Sequence, residues 1–133
     1  MTQGKQNPTT ATESITPNVA TTVIIPTAVL ETRGARSGKH RRNAVIYFHD
    51  GDRVIIAASN AGADRHPSWY STVLADPHVT FGGAPMQAHV VEEPAEQQRL
   101  WSLADRVFPG FAVYRRDAGA AGRQIPLIGL TAS

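Results

Sequence analysis

Five of the thirteen Lys and Arg residues in this 133-residue chain stand within ten positions of one another. They are Arg33, Arg36, Lys39, Arg41 and Arg42, spaced around Gly34 and Gly38 in the stretch LETRGARSGKHRR. Glycines let a turn close tightly and bring backbone N–H groups toward an anion. An Arg can grip a phosphate through two parallel hydrogen bonds, and a Lys adds a point charge. The stretch comes within one residue of a nucleotide-binding P-loop, but that motif needs four residues before its Gly-Lys pair, then Ser or Thr for magnesium, then a helix. Here three residues separate Gly34 from Gly38, His40 follows Lys39, and a strand pattern comes next. The P-loop is rejected. A phosphate-holding turn and a solvated basic turn that discourages strand-edge pairing both remain. Nucleic acid is the weaker partner, because no aromatic stacking platform is interleaved with these charges.

A second stretch, AASNAGADRHPSWY, leaves an apolar run through Ser59 and Asn60, crosses Gly62 and reaches a helix start at Pro67. A loop that ends at a helix N-terminus presents free backbone N–H donors, suited to the carbonyls and nitrogens of a flat heterocycle. Trp69 and Tyr70 could wall such a site, or Trp69 could simply anchor the core. Further along, FPGFAVY spaces Phe108, Phe111 and Tyr114 by three. That spacing suits either a core stripe or an aromatic lid over a hydrophobic ligand.

Other chemistry is missing. There are no cysteines, which removes disulfides and thiolates, and the five histidines (His40, His49, His66, His78, His89) are too scattered for a zinc site. No metal is expected. No serine sits in a nucleophile elbow, and Glu92, Glu93 and Glu96 gather where a helix dipole at its N-terminus accounts for them. The residues therefore favour ligand binding or chemistry carried by a cofactor.

The elements that must position these groups follow from periodicity and turn residues. Residues 1–20 are polar, rich in Thr and expected to form a flexible tail, leaving 21–133 as one domain. An apolar strand reads across Thr21–Glu31, interrupted by Pro26. Ala44–Phe48 and Val54–Ala58 flank Asp50-Gly51 as a hairpin, and HVTF and MQAHVVE flank Gly82-Gly83 as another. Helices read at PSWYSTVLA, at PAEQQRLWSLADRVF with Leu100, Leu103, Ala104 and Val107 on one face, and at FAVYRRDAG. A last strand covers Ile125–Leu130. Two antiparallel hairpins with helices between strands rule against a doubly wound parallel sheet. The order predicts a mainly β (α+β) fold, a six-stranded antiparallel barrel packed by two to three helices. Net charge is +2, no apolar run has transmembrane length, and a cytoplasmic protein is the default expectation.

Taken together, these stretches resemble the deazaflavin (F420)-dependent nitroreductase family, split β-barrel flavin and deazaflavin oxidoreductase-like proteins. The resemblance runs from about Ala28 to Leu130 and rests on a combination: the Gly-Ala-Arg-Ser-Gly-Lys loop, the Asp-Gly hairpin, SNAGADRHPSWY, FPGFAVY and RQIPLIGL. It implies coenzyme F420 as cofactor in preference to FMN. It implies that Arg36, Ser37, Lys39 and Arg41 hold the phosphate and acidic tail, with Gly38 and Asn43 also binding the cofactor. Ala57, Ala58, Ser59 and Asn60 at the strand end, with Gly62, Ala63 and Asp64 in the loop, would lie against the ring, and Trp69 would support them.

The implied activity is hydride transfer from the reduced deazaflavin to a small, planar, electron-poor acceptor, quinone-like or nitroaromatic. Ser59 and Tyr114 are the side chains best suited to hydrogen-bond the anion that develops. Members that reduce nitroimidazoles carry a tyrosine-rich lid where this chain has Phe108 and Phe111 beside Tyr114. The alternative is a non-catalytic module that binds the deazaflavin or a flavin on the same barrel. Monomer or homodimer, and peripheral contact with a membrane, stay open.

Overall fold

The computed structural model describes residues 24–34 and 37–133; the expected tail, 1–20, and Arg36 lie outside the described residues. Nine elements follow in chain order: β1 (Thr27–Arg33), β2 (His40–Asp50), β3 (Arg53–Ala57), α1 (Ser68–Ala75), β4 (His78–Phe81), β5 (Ala84–Val90), α2 (Pro94–Val107), α3 (Gly110–Ala120) and β6 (Leu127–Ala132). The six strands close into an antiparallel barrel in the order β1-β2-β3-β6-β5-β4. Closure is uneven. β1 pairs with β2 from Thr27↔Ile46 to Arg33↔His40, whereas its other edge meets β4 only at Leu30↔Phe81 and Glu31↔Thr80. That short seam is where the barrel is split.

Strand alternation sorts the apolar residues into two cores. Leu30, Val54, Ile56, Phe81, Ala88, Ile128 and Leu130 point into the barrel, where α1 adds Trp69 and Val73. The intervening residues Phe48, Ile55, Ala57 and Leu127 point outward and are covered by Leu100 and Ala104 of α2 and by Phe111 and Ala118 of α3. β3 is thus buried on both faces, which is why it reads as an unbroken apolar run.

The elements differ from the sequence expectations at several boundaries; β5 spans Ala84–Val90 instead of Met86–Glu92, and β6 spans Leu127–Ala132 instead of Ile125–Leu130. β1 begins after Pro26, whose missing N–H cannot join the ladder, although its carbonyl still accepts from the Tyr47 amide at 3.1 Å. β2 starts at His40 instead of Ala44 and takes in Arg41 and Arg42, because their side chains are exposed while their backbone pairs with β1 and Glu31 stands opposite Arg42. The first hairpin turns at Gly51 and Asp52, one residue later than expected, with Asp50 paired to Arg53 in the ladder. The second turns at Gly82-Gly83, as their positive φ values of 57° and 84° allow.

The displaced Asp50 has another task. Its carboxylate accepts from Arg53 Nη2 at 3.0 Å and from Arg99 Nη2 at 2.9 Å, and Glu96 bridges the same two arginines. This network fastens α2 to the β2–β3 hairpin. At the start of α2, Glu93 Oε1 accepts from the Glu96 amide at 2.8 Å as an N-cap, and Pro94 takes the first turn.

The Arg99 hydrogen bonds, followed by those of Arg53, hold the Asp50 carboxyl at about 2 against an ordinary 3.8. A depressed folded pKa stabilises the fold above the unfolded value, and that contribution drains away as pH falls from about 4 toward 2. Asp50→Asn should cost on the order of 1 kcal/mol at neutral pH, since the pairs are partly solvated. It should also flatten the loss of stability between those pH values in denaturant titrations.

Candidate active site at the barrel rim

Where β3 ends, the chain leaves the barrel through an unusual turn. Asn60, Ala61 and Gly62 all have positive φ, at 46°, 52° and 78°. Glycine takes this conformation freely, but each L residue pays roughly 1–2 kcal/mol for crowding its Cβ against the following carbonyl. The turn closes through Gly62 N–H to Ser59 O at 2.9 Å and Ala63 N–H to Asn60 O at 3.0 Å. The Asn60 side chain reaches across to the Arg65 carbonyl at 3.0 Å. The amides of Asn60 and Ala61 have no acceptor among the described residues, and the Ser59 hydroxyl does not cap the turn.

These groups open onto a cleft of about 300 Å³ at the rim of the barrel. β2 contributes Asn43, Ala44, Val45 and Ile46, and the end of β3 contributes Ala57. The turn adds Ser59, Asn60 and Ala61, α1 brings Pro67 and Trp69, and α3 brings Phe111 and Tyr114. Trp69 and Phe111 are both buried, so each serves a core with one face and the cleft with another. Phe111 meets Phe108 edge-on at 5.1 Å, and Tyr114 lies 5.7 Å from Phe108. Phe111 and Tyr114 are therefore both stripe and wall, with Phe108 packed behind them.

Six of the sequence-derived site residues meet here: Asn43, Ala57, Ser59, Asn60, Trp69 and Tyr114. Others are placed behind or beyond the cleft. Ala58 is fully buried in the barrel core. Gly62 packs so closely on α3 that an added Cβ would stand 3.0 Å from both Cα and O of Tyr114. Ala63 faces Arg123 through its carbonyl, and exposed Asp64 lies 3.7 Å from Arg65. Ser37, Gly38 and Lys39 form the exposed turn before β2. There Ser37 Oγ accepts from the Lys39 amide at 3.1 Å, and Gly34 exchanges bonds with Gly38 and Lys39. Lys39 is four strand residues from Asn43, ~13 Å along β2. Arg41 shares the Asn43 face of the strand, while Arg42 shares the face of Ala44 and Ile46.

The sequence reading passed over Arg123. It is buried, and its guanidinium donates to three carbonyls around the turn: Ala58 at 3.1 Å, Ser59, and Ala63 at 2.8 Å. A fourth donor reaches His66 Nδ1 at 2.8 Å. A guanidinium has no acceptor, so His66 must be unprotonated at Nδ1. Burial, and then the Arg123 charge, lower the His66 pKa below its ordinary 6.5. A sequence signal existed in Gly122. That residue closes α3 with φ +80° while Arg123 N–H bonds back to Ala118 O at 2.8 Å and Gly122 N–H to Gly119 O at 3.0 Å, a Schellman stop that aims Arg123 inward.

A larger hollow, about 880 Å³, lies elsewhere, between α2, the end of β5 and the Arg123–Pro126 segment. Of the residues the sequence offers for the site, it is lined by Tyr70 alone. Its prominent charges are already paired: Arg115 holds Asp105 at 2.7 Å and lies 4.3 Å from the Trp101 ring. The rim cleft, with its donors free and its aromatics convergent, is the better place for chemistry.

The model of the F420H(2)-dependent quinone reductase family matches residues 6–132. The chain belongs to this family. An F420H(2)-dependent quinone reductase of Mycobacterium tuberculosis strain H37Rv is 30% identical over 111 residues, covering 80% of this chain and 73% of that protein. A solved F420-H2 dependent reductase superposes with a TM-score of 0.68 at 30% identity, covering 79% of this chain and 93% of the other. A second structure, described as a domain-swapped dimer, reaches 0.69 at 30% identity with 79% of each chain covered. The expected split barrel is thus the fold of the family, and the chain is an F420-dependent oxidoreductase. No helix among the described residues is long and apolar enough to cross a membrane.

Gly62 is the position where the turn tolerates least. Gly62→Ala must hold a left-handed φ and push a methyl group against the α3 backbone, so it should cost at least about 2 kcal/mol in urea unfolding. A loss under about 0.5 kcal/mol would contradict the close approach.

Proposed function

We propose that the rim cleft receives the deazaflavin ring of coenzyme F420, and that Ser37, Gly38, Lys39, Arg41 and Asn43 lead its phosphate and acidic tail away along β2. The observation that carries this reading is the turn itself. Ser59, Asn60 and Ala61 line a cleft walled by Trp69, Phe111 and Tyr114, and the amides of Asn60 and Ala61 have no acceptor among the described residues; the cleft lies on the strand that bears the basic cluster. A flat heterocycle with carbonyls and ring nitrogens matches such donors. A cleft of about 300 Å³ suits a ring system but not a whole dinucleotide-sized coenzyme, so an anionic tail would have to lie outside it, toward Lys39 and Arg41.

When bound and reduced, the coenzyme supplies a hydride equivalent. The chain's own residues then bind, orient and shield. Asn60 and Ala61 fix the ring edge through their amides, while Trp69 and Phe111 keep water from the reacting faces. A quinone is the acceptor the family name points to. Its reduction to hydroquinone takes one hydride and one proton, and negative charge develops on a carbonyl oxygen. Ser59 and Tyr114 line the cleft, and their hydroxyls would donate a hydrogen bond to that oxygen, stabilising the charge without becoming covalently engaged. The proton comes from solvent. Hydride transfer of this kind needs no triad or metal, because the redox chemistry belongs to the coenzyme.

Titration of the protein into oxidised F420, followed by coenzyme fluorescence, should saturate. No saturable change, with FMN bound instead, would overturn the cofactor assignment. Lys39→Ala and Arg41→Ala should weaken binding and flatten its salt dependence. Tyr114→Phe should leave coenzyme affinity close to wild type, Ser59→Ala should also weaken it, and both should lower kcat with a menadione-type quinone, the more important donor by ~10-fold or more. Unchanged kcat in both would remove them from the chemistry.

A further inference from the structure

We propose that Arg123 is a positioning residue for this cleft, holding the left-handed Asn60–Gly62 turn from behind so that its amides and the Ser59 hydroxyl present themselves at fixed places. The inference rests on the reading of the cleft as the ring site. The turn is strained at two non-glycine residues, and its own two hydrogen bonds are few for such a conformation. Arg123 brackets it, with Ser59 O on one side and Ala63 O on the other, and reaches Ala58 O where β3 ends. These are charge-assisted bonds to carbonyls inside the protein, which are stronger than neutral ones. A planar fork can meet carbonyls on both sides of the turn at once; a lysine ammonium, a single point, cannot.

His66 completes the grip in its neutral form. Its Nδ1 takes the remaining Nη1 proton of Arg123, and its ring lies 4.8 Å from Tyr70. The groups around it are Arg123 from the α3–β6 connection, Tyr70 from α1, Asp64 and Arg65 in its own loop, and Glu92 across the adjoining hollow. Protonation at Nδ1 removes the acceptor and sets one cation against another. Acid should therefore loosen the turn before it unfolds the barrel.

The test compares Arg123→Lys, Arg123→Gln and His66→Gln with wild type, and uses Lys39→Ala as an independent gauge of the cofactor site. Amide hydrogen exchange is measured first without coenzyme. Gly62 and Ala63, whose amides close the turn, should exchange at least ten times faster in Arg123→Lys, while Ile55, Ile56 and Ile128 in the barrel ladders keep their protection. Coenzyme affinity should fall at least tenfold in Arg123→Lys, and kcat should fall further than KM for the quinone rises. Wild-type affinity should decline as pH drops below the ordinary histidine range, and His66→Gln should lose that decline. Ala61→Gly, which relieves the strain, should restore part of the exchange protection in the Arg123→Lys background.

Wild-type exchange at Gly62 and Ala63 in Arg123→Lys overturns the proposal. So does a uniform loss of protection across the barrel that Ala61→Gly does not relieve, because Arg123 would then support the whole fold. If Lys39→Ala weakens coenzyme binding but Arg123→Lys does not, the proposal fails and the cleft assignment stands. If the turn loosens as expected and neither variant alters binding, the cleft assignment is what fails.

Discussion

The rim cleft depends on a backbone conformation that the local sequence does not favour. β3 is buried on both faces, and its chain must leave the barrel abruptly at Ser59 if anything polar is to reach the rim. It does so through three consecutive left-handed residues, only one of them glycine. Such a turn persists when its surroundings over-determine it. Gly62 is wedged against the backbone of Tyr114, and Arg123 ties the carbonyls on either side. The strain, the close packing and the buried cation form one arrangement, and the two free amides are what it exposes.

From this follows a division of labour between the ends of one strand pair. Around Asn43–Ile46, β2 borders a cleft with aromatic walls and backbone donors, suited to a flat neutral ring. Near Lys39–Arg42 the same strand is exposed and cationic, suited to phosphate and carboxylates. The two regions are ~13 Å apart along an extended strand, so a long molecule with a ring at one end and negative charge toward the other matches both. An enzyme of this kind needs orientation and water exclusion more than acid–base machinery, because the redox chemistry belongs to the coenzyme. That is consistent with a family of F420H(2)-dependent quinone reductases and with the absence of a nucleophile, triad or metal motif in the sequence.

Much of the fold was legible because its signals are local. Gly82-Gly83 marks a turn by φ preference, Pro94 and Glu93 mark a helix start, and the short apolar runs of β3 and β6 mark strands. Boundaries were less legible where long-range pairing decides them. Arg41 and Arg42 look like loop residues until β1 supplies their ladder partners. Asp50 looks like a turn residue until Arg99, from a helix 49 positions later, claims its carboxylate. Six of the residues expected for the candidate site line one cleft, while Ser37, Gly38 and Lys39 of the basic stretch lie outside it. Arg123 escaped because its meaning lies in a tertiary contact spanning 60 residues and more. Only its place after the helix-ending Gly122 hinted that its side chain would turn inward. The strain at Ala61 is equally invisible, since alanine carries no preference for a left-handed turn.

The central claim, that the coenzyme ring occupies the rim cleft, is tested most directly by backbone amide chemical shifts of the labelled protein during titration with oxidised F420. The account predicts that the largest changes fall at Asn43–Ile46, Ala57, Ser59–Ala61, Trp69 and Tyr114, with smaller ones running along β2 to Lys39. Changes centred instead on Trp101, Arg115 and Gln124, around the larger hollow beside α2, would contradict it.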